Sequence, residues 1–263
     1  MFEHKIVTLQ VKNLVEFMTY KAEKVVPYAD SDAKKSVQIK QMFNDIAFRY
    51  DLFNRLLSLG NDYYWRKKGV LSLKDIAPQK ILDIATGTGD LALEACKRLH
   101  PEKVIGIDIS DKMMTVGKQK VAEAGLSDKI EFQQCDCIDL PFEANTFDAA
   151  IVAFGIRNFE NLDKGLQEIF RVLRPGGKLM VLELSVPEHF PVKQAYRLYS
   201  KIFIPTVGYL ISRDNSAFNY LPKSIEAFPQ NAELAAIMQK NGFSDVKFRK
   251  LTIGVCTLYI GMK

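Results

Sequence analysis

The sequence predicts an α/β protein: a mostly parallel sheet with helices on both faces. Three observations carry this. Between residues 80 and 185, short apolar runs alternate with helical stretches, as in successive βαβ units. The glycine-rich turn Gly87-Thr88-Gly89 follows the first apolar run, where a strand turning sharply into a helix needs backbone freedom. Asp108 closes the next apolar run, 20 residues beyond Thr88, where a carboxylate can accept both hydroxyls of a ribose.

The elements follow in order. Residues 1–33 read as an N-terminal extension with little periodicity; Pro27, Asp30, Ser31 and Asp32 mark a loop, and Met18 offers an alternative start. Residues 34–79 read as a helical lid. From Lys34 to Leu59 the apolar residues Val37, Met42, Phe43, Ile46, Phe48, Leu52, Phe53, Leu56 and Leu57 recur near helical spacing. Gly60 marks a stop, and Trp65 to Leu73 predicts another helix. Residues 80–263 carry the main domain. Its strands are expected at Ile81–Ile84, Val104–Asp108, Ile130–Phe132, Phe147–Phe154 and Lys178–Leu184. Its helices are expected at Leu91–Leu99, from a Ser110 cap to about Ala124, and at Leu162–Leu173. Residues 187–229, rich in proline and aromatics, interrupt this rhythm as an inserted lid segment. A helix from Asn231 to Lys240 follows, then strands at Phe243–Arg249 and Ile253–Gly261, antiparallel to each other.

A chain of 263 residues suits one such domain with extensions, or two domains at most. With 48% hydrophobic and 25% charged residues it reads as soluble and globular. No apolar run reaches the roughly 18 residues that span a bilayer. The first residues lack a signal-peptide pattern, because Glu3, Lys5, Lys12 and Glu16 break the apolar run. The expected compartment is the cytoplasm. Cys96, Cys135, Cys137 and Cys256 have neither disulfide-like nor zinc-like spacing, so reduced thiols and no metal are expected. Charge divides along the chain: residues 1–80 hold 14 basic and 9 acidic groups, residues 81–186 hold 12 and 17, and residues 187–263 hold 10 and 5. An acidic centre suits a cationic ligand, and basic arms suit an anionic surface.

The turn motif alone is ambiguous, because Gly87-x-Gly89-x-x-Ala92 also satisfies a dinucleotide-binding fingerprint. Further features separate the readings. Asp83 ends the first strand, where it can approach a cation. Asp136 follows the third strand, Asp139-Leu140-Pro141-Phe142 leads toward the fourth, and Arg174-Pro175-Gly176-Gly177 turns into the fifth. Together these resemble the successive motifs of class I S-adenosylmethionine methyltransferases, whose Rossmann-like seven-stranded sheet ends in an antiparallel pair.

Two longer stretches narrow the resemblance. Tyr50-Asp51-x-Phe53-Asn54-x-x-Leu57-Ser58-x-Gly60-x-x-x-x-Trp65 resembles an N-terminal signature of the ubiquinone/menaquinone biosynthesis C-methyltransferases. Arg171-Val172-Leu173-Arg174-Pro175-Gly176-Gly177 through Glu183-Leu184-Ser185 resembles the second, and Phe154-Gly155-Ile156-Arg157-Asn158 is family-like. The resemblance covers residues 37–263. The chain departs from the pattern with Phe53 for Met, Asp62 for His and Ala85 for the first glycine of the cofactor turn. The change at Asp62 counts against a catalytic role there.

The resemblance implies S-adenosyl-L-methionine as cofactor, held by Asp83, Gly87, Thr88, Gly89, Asp108, Asp136 and Cys137, with Ala153 nearby. It implies demethylmenaquinol as substrate and menaquinol as product. An oxidised quinone ring is too electron-poor to attack a methyl group. The quinol becomes nucleophilic at carbon once a ring hydroxyl loses its proton, so the enzyme must assist deprotonation, stabilise the phenolate and align the carbon. Arg157, expected at the carboxyl edge of the sheet, is the candidate phenolate stabiliser. Tyr50 is the candidate hydrogen-bond partner, and Asp139 or water the candidate proton acceptor. The prenyl tail implies transient contact with the inner face of the membrane, through residues 190–222 and the N-terminal helices. No nucleic-acid partner is expected; a homodimer is left open. Two other classes remain at this point: a methyltransferase acting on a benzoquinol or RNA, and a non-catalytic assembly partner with a cofactor fold.

Overall fold

The computed structural model describes residues 20–203, 206 and 216–263. Met18, the alternative start, and part of the 190–222 segment lie outside them. Among the described residues, seven strands form one sheet in the order β3-β2-β1-β4-β5-β7-β6. They are β1 (Lys80–Ile84), β2 (Lys103–Asp108), β3 (Ile130–Gln134), β4 (Phe147–Ala153), β5 (Leu173–Leu184), β6 (Ser244–Leu251) and β7 (Cys256–Met262). The first five run parallel; β7 is antiparallel to both β5 and β6. This bears out the predicted mostly parallel sheet and its antiparallel end.

The central strands read as unbroken apolar runs because both faces are covered. Ile81, Ala149, Ile151, Met180 and Leu182 point to one side. Leu82, Ala150, Val152, Leu179 and Val181 point to the other. The first side packs beneath α3 (Asn61–Leu71), α4 (Asp90–Leu99) and α5 (Asp111–Glu123); the second packs beneath α6 (Leu162–Val172) and α9 (Ala232–Lys240). Full burial of each large aliphatic side chain here contributes about 1.5–3 kcal/mol. Ser110 caps α5 as expected, its hydroxyl accepting the Met113 N–H at 3.2 Å. Asn161 caps α6 the same way.

Two expectations need correction. The apolar periodicity from Lys34 to Leu59 is not one helix. It divides into α1 (Lys35–Ile46), a 3-10 turn (Ala47–Arg49) and α2 (Tyr50–Ser58). Buried Ala47 sits where the chain passes α5, so tertiary packing breaks a repeat that local spacing would continue. The stop falls where expected: Leu59 and Gly60 both adopt left-handed conformations (φ 51° and 78°). The fifth strand also starts earlier than Lys178. Leu173 pairs with Phe147, then the register jumps so that Lys178 pairs with Ala149, and the Arg174–Gly177 turn bulges out between them.

The segment 187–229 carries α7 (Val192–Leu198) and α8 (Ser216–Ala227). α8, α1 and α2, with Tyr199, build two small apolar clusters, one around Ile39, Met42 and Tyr220, the other around Phe53 and Phe218. No described helix is long and apolar enough to cross a membrane.

Candidate active site

The strand order reverses at β1, which lies between β2 and β4. Ligands of open parallel sheets bind at that switch, outside the carboxyl ends of the strands. Asp83, Thr86, Gly87, Thr88, Asp108, Asp136, Ala153 and Arg157 all converge there, from five different segments.

The turn after β1 is held tightly. Gly87 N–H donates to Asp108 Oδ2 at 2.8 Å, and Ser110 N–H donates to Asp108 Oδ1 at 2.8 Å. Both carboxylate oxygens are thereby fixed and each keeps a lone pair for a ligand. Ala85, which replaces the usual glycine, is left-handed (φ 52°). Its methyl fits because position 155 is glycine: a Cβ there would come within 2.5 Å of the Ala85 Cβ. Gly89 (φ 77°) leaves room for Phe132, whose ring would lie 2.9 Å from an added Cβ.

Two clefts flank this turn. The larger, about 670 Å³ to its open mouth, is lined by Gly87, Asp108, Met113, Asp136, Cys137 and Ala153 among others. The smaller, about 370 Å³, is lined by Asp83, Thr86, Thr88, Arg66 and Asp90. Burial, opposed by backbone N–H groups of Ser110, Gly87 and Ile109, pushes the Asp108 carboxyl up to about 6. Burial pushes Asp83 up to about 7, and nearby Asp108 adds to it. Asp83 is 1% exposed. Its Oδ2 accepts the Thr86 hydroxyl at 2.6 Å, while Oδ1 is a buried acceptor without a partner. An orphaned, desolvated carboxylate oxygen is costly unless a ligand satisfies it. The amino group and sulfonium of S-adenosylmethionine supply the donor and positive charge it lacks, so these residues fit that cofactor. Cys137 contributes a buried thiol that burial holds well above its ordinary pKa, hence an uncharged wall.

The third cavity is apolar and larger, about 960 Å³ to its mouth. Met42, Phe53, Leu57, Phe218, Leu221 and Ile225 line it, with Tyr196, Tyr199 and Tyr220 from the 187–229 segment. The aromatics of that segment therefore divide: these tyrosines and Phe218 face the cavity, while Phe190 and Phe203 are exposed. Tyr50 and Phe154 line all three spaces and stand at their junction. Burial raises the Tyr50 phenol above its ordinary pKa, so it is a neutral donor.

Arg157 lines the apolar cavity and is 6% exposed. One guanidinium nitrogen, Nη1, donates to Glu183 Oε1 at 2.7 Å and to the Phe154 carbonyl at 2.5 Å; Nε has no partner. Burial opposes its charge, but Glu183 outweighs it and holds the guanidinium above its usual range. Glu183 has no place in the sequence reading beyond its motif. It was legible only as a charged residue inside a strand otherwise apolar.

The structure does not bring Asp139 to this place. It is exposed on the loop after β3 and lines none of the three spaces. The chain turns there so that Leu140 and Cys137 are buried instead. Asp51, by contrast, is a contact the sequence reading missed. Thr88 Oγ1 donates to Asp51 Oδ1 at 2.6 Å, and Lys120 Nζ donates to Asp51 Oδ2 at 2.7 Å. Lys120 also pairs with Asp90, and Arg66 bridges Asp90 and Asp62 at 2.6 Å each. This chain of charges ties α2 and α3 to the glycine turn.

The sequence matches the ubiE/COQ5 methyltransferase family over residues 31–263. A protein of Bacteroides fragilis named demethylmenaquinone methyltransferase is 55% identical, with 94% of this chain and all of that protein covered. A Porphyromonas gingivalis protein of the same name is 48% identical, over 92% of this chain and 98% of its own. Among solved structures, a SAM-dependent methyltransferase of Thermotoga maritima superposes with TM-score 0.59 at 18% identity, covering 86% of this chain and 99% of its own. That likeness extends to the fold, which is the class I methyltransferase fold with N-terminal helices added. The chain belongs to the ubiE/COQ5 methyltransferase family and is an S-adenosylmethionine-dependent methyltransferase.

Proposed function

We propose that the protein methylates a ring carbon of demethylmenaquinol, giving menaquinol. The observation that carries this is the junction: two clefts, one lined by Asp108 and the other by Asp83, meet a large apolar cavity across Tyr50 and Phe154. A small polar substrate would not need that cavity. A prenylated naphthoquinol fills it with its ring and the first part of its tail.

In this reading Asp108 accepts the ribose hydroxyls, Asp136 and Cys137 wall the adenine, and Asp83, Gly87, Thr88 and Gly89 hold the methionine end, with Ala153 beneath. When bound, the cofactor supplies a methyl group on a sulfonium, a good leaving group. Arg157 faces the ring oxygen and stabilises the phenolate as the hydroxyl proton leaves. Tyr50 donates to the same oxygen and shields the reacting carbon from water. Helices α1 to α3 and the segment 187–229 act as the lid. The sum is one new carbon–carbon bond, one broken carbon–sulfur bond and one broken ring carbon–hydrogen bond, with the ring oxygen reprotonated and one proton released.

A prenyl tail keeps the substrate in a bilayer, so the lid must reach it. Phe48, Leu52, Leu56 and Leu59 form an exposed stripe along the 3-10 turn and α2. Leu198 and Ile202 are exposed beside it, joined through the Tyr199 hydroxyl, which donates to the Leu57 carbonyl at 2.6 Å. Exposed Arg55, Arg197 and Lys201 flank the stripe. Apolar residues edged by cations suit an anionic interface, at about 1 kcal/mol per cation. Co-sedimentation with anionic liposomes should fall for Arg197→Glu/Lys201→Glu; equal binding would remove this surface from the reading.

The activity itself is tested with isotope-labelled S-adenosylmethionine and a short-tailed demethylnaphthoquinol under reducing conditions, with mass spectrometry of the product. Label should enter a ring carbon, and the oxidised quinone should give none. Transfer to neither ring form would refute the reading.

A further inference from the structure

Transfer to a quinol needs a group that takes the hydroxyl proton. Arg157 cannot, because it is permanently charged and already paired with Glu183. Tyr50 cannot, because burial keeps its phenol protonated. Asp139 lies outside the cavity. Among the described residues lining the apolar cavity, Asp62 is the one carboxylate.

We infer that Asp62 is the proton acceptor for the ring hydroxyl, reached through the hydroxyl of Ser58. The inference rests on the quinol reading above. Asp62 and Ser58 both line the cavity, and the Ser58 hydroxyl donates to Asp62 Oδ1 at 2.8 Å. They meet because the chain reverses at Leu59 and Gly60, which puts the last residue of α2 over the first turn of α3. The step balances simply. The O–H bond of the ring breaks and its proton passes to Ser58 Oγ. The serine's own proton passes to Asp62 Oδ1, and the electron pair stays on the ring oxygen, where Arg157 stabilises it.

Asp62 is held in place by a network of charges. Arg66 Nη2 holds its Oδ2 at 2.6 Å from the same helix and shares itself with Asp90 at the start of α4. Lys120 of α5 is engaged by Asp90 and Asp51 in turn. Tyr63 stacks on Arg66, Asp83 lies beyond on β1, and Tyr50, Tyr199 and Arg157 face the same cavity. The replacement of His by Asp62, which counted against this position from sequence, keeps a proton acceptor there.

The test uses the full chain with the short-tailed quinol. Asp62→Asn should lower kcat by ~10²–10⁴ with cofactor affinity unchanged within about twofold. Ser58→Ala, which leaves the Asp62–Arg66–Asp90 chain intact, should lower kcat by at least tenfold. Asp62→His should retain activity and move the acid limb of the kcat profile upward by roughly two pH units, since imidazole titrates above carboxylate. A merely structural carboxylate would not move that limb. If Asp62→Asn fails to fold, the other two variants decide. An unmoved limb in Asp62→His, or normal turnover in Ser58→Ala or Asp62→Asn, overturns the assignment. These results require an active wild type; if wild type itself does not methylate the quinol, the functional reading fails instead.

Discussion

Replacing Asp83 by Asn separates the cost of a buried charge from its use. Asp83 is 1% exposed, keeps one oxygen without a partner, and is pushed up to about 7 by burial and then by Asp108. Its ordinary value is 3.8, so the proton is held more tightly in the folded chain than in the unfolded one. The stability this contributes is fully present below about pH 4 and is lost as pH rises through about 7. A shift of roughly three units corresponds to ~4 kcal/mol at most, reached only on the alkaline side. Asparagine keeps the acceptor for the Thr86 hydroxyl and never ionises, but its amide N–H groups find no partner, which costs ~1–3 kcal/mol. Without cofactor, Asp83→Asn should therefore be more stable than wild type by ~1–3 kcal/mol at pH 8, and equal or weaker at pH 5. Binding should move the opposite way. Losing a charged acceptor beside the sulfonium and amino groups should weaken S-adenosylmethionine by ~10–100-fold. Urea denaturation at both pH values gives the first comparison and titration calorimetry the second. A variant less stable than wild type at pH 8, with unchanged cofactor affinity, would refute the reasoning.

Other perturbations probe neighbouring parts of the site. Arg157→Ala should lower kcat much more than cofactor affinity, and Arg157→Lys should recover little, because an ammonium lacks the guanidinium fork; equal turnover in both would remove Arg157 from the chemistry. Glu183→Ala should cost ~3–5 kcal/mol in urea denaturation by leaving Arg157 buried and uncompensated. Gly155→Ala should destabilise by ~1–3 kcal/mol through its contact with the Ala85 methyl, and Ala85→Gly in the same chain should restore most of it. Additive effects in that double-mutant cycle would show that the two positions do not touch. Asp51→Ala should weaken cofactor binding ~3–30-fold in calorimetry, since Thr88 and Lys120 lose a charged partner.

The sheet was legible because its signals are local. Apolar runs of strand length, a glycine turn and the Ser110 cap each act within a few residues. Asp83, Asp108 and Arg157 could be placed because they lie at or just beyond strand ends, and strand ends share one edge of the sheet. What escaped the sequence depends on contacts between distant segments. Asp51 meets Thr88 across 37 positions and Glu183 meets Arg157 across 26. The 3-10 break at Ala47 is likewise set by packing against α5 rather than by propensity. Asp139 was misplaced for the same reason: a loop carboxylate has no period to say which way it faces.

Why the lid is tied so firmly to the cofactor turn follows from the order of events the chemistry needs. In the proposed reading phenolate and sulfonium must meet without water, while a prenylated substrate would arrive from a different phase than the cofactor. Tyr50 closes that gap from α2, the helix that also carries Asp51 onto Thr88 and presents the exposed stripe at Leu52 and Leu56. Asn54, one turn beyond Tyr50 on the same helix, lines the same cavity. A shift of α2 would therefore alter the cofactor contact, the junction and the outer surface together. One rigid element thus links the cofactor turn to the wall of the apolar cavity. On the proposed quinol reading, a cofactor that fixes Thr88 would favour the helix position that completes the quinol site.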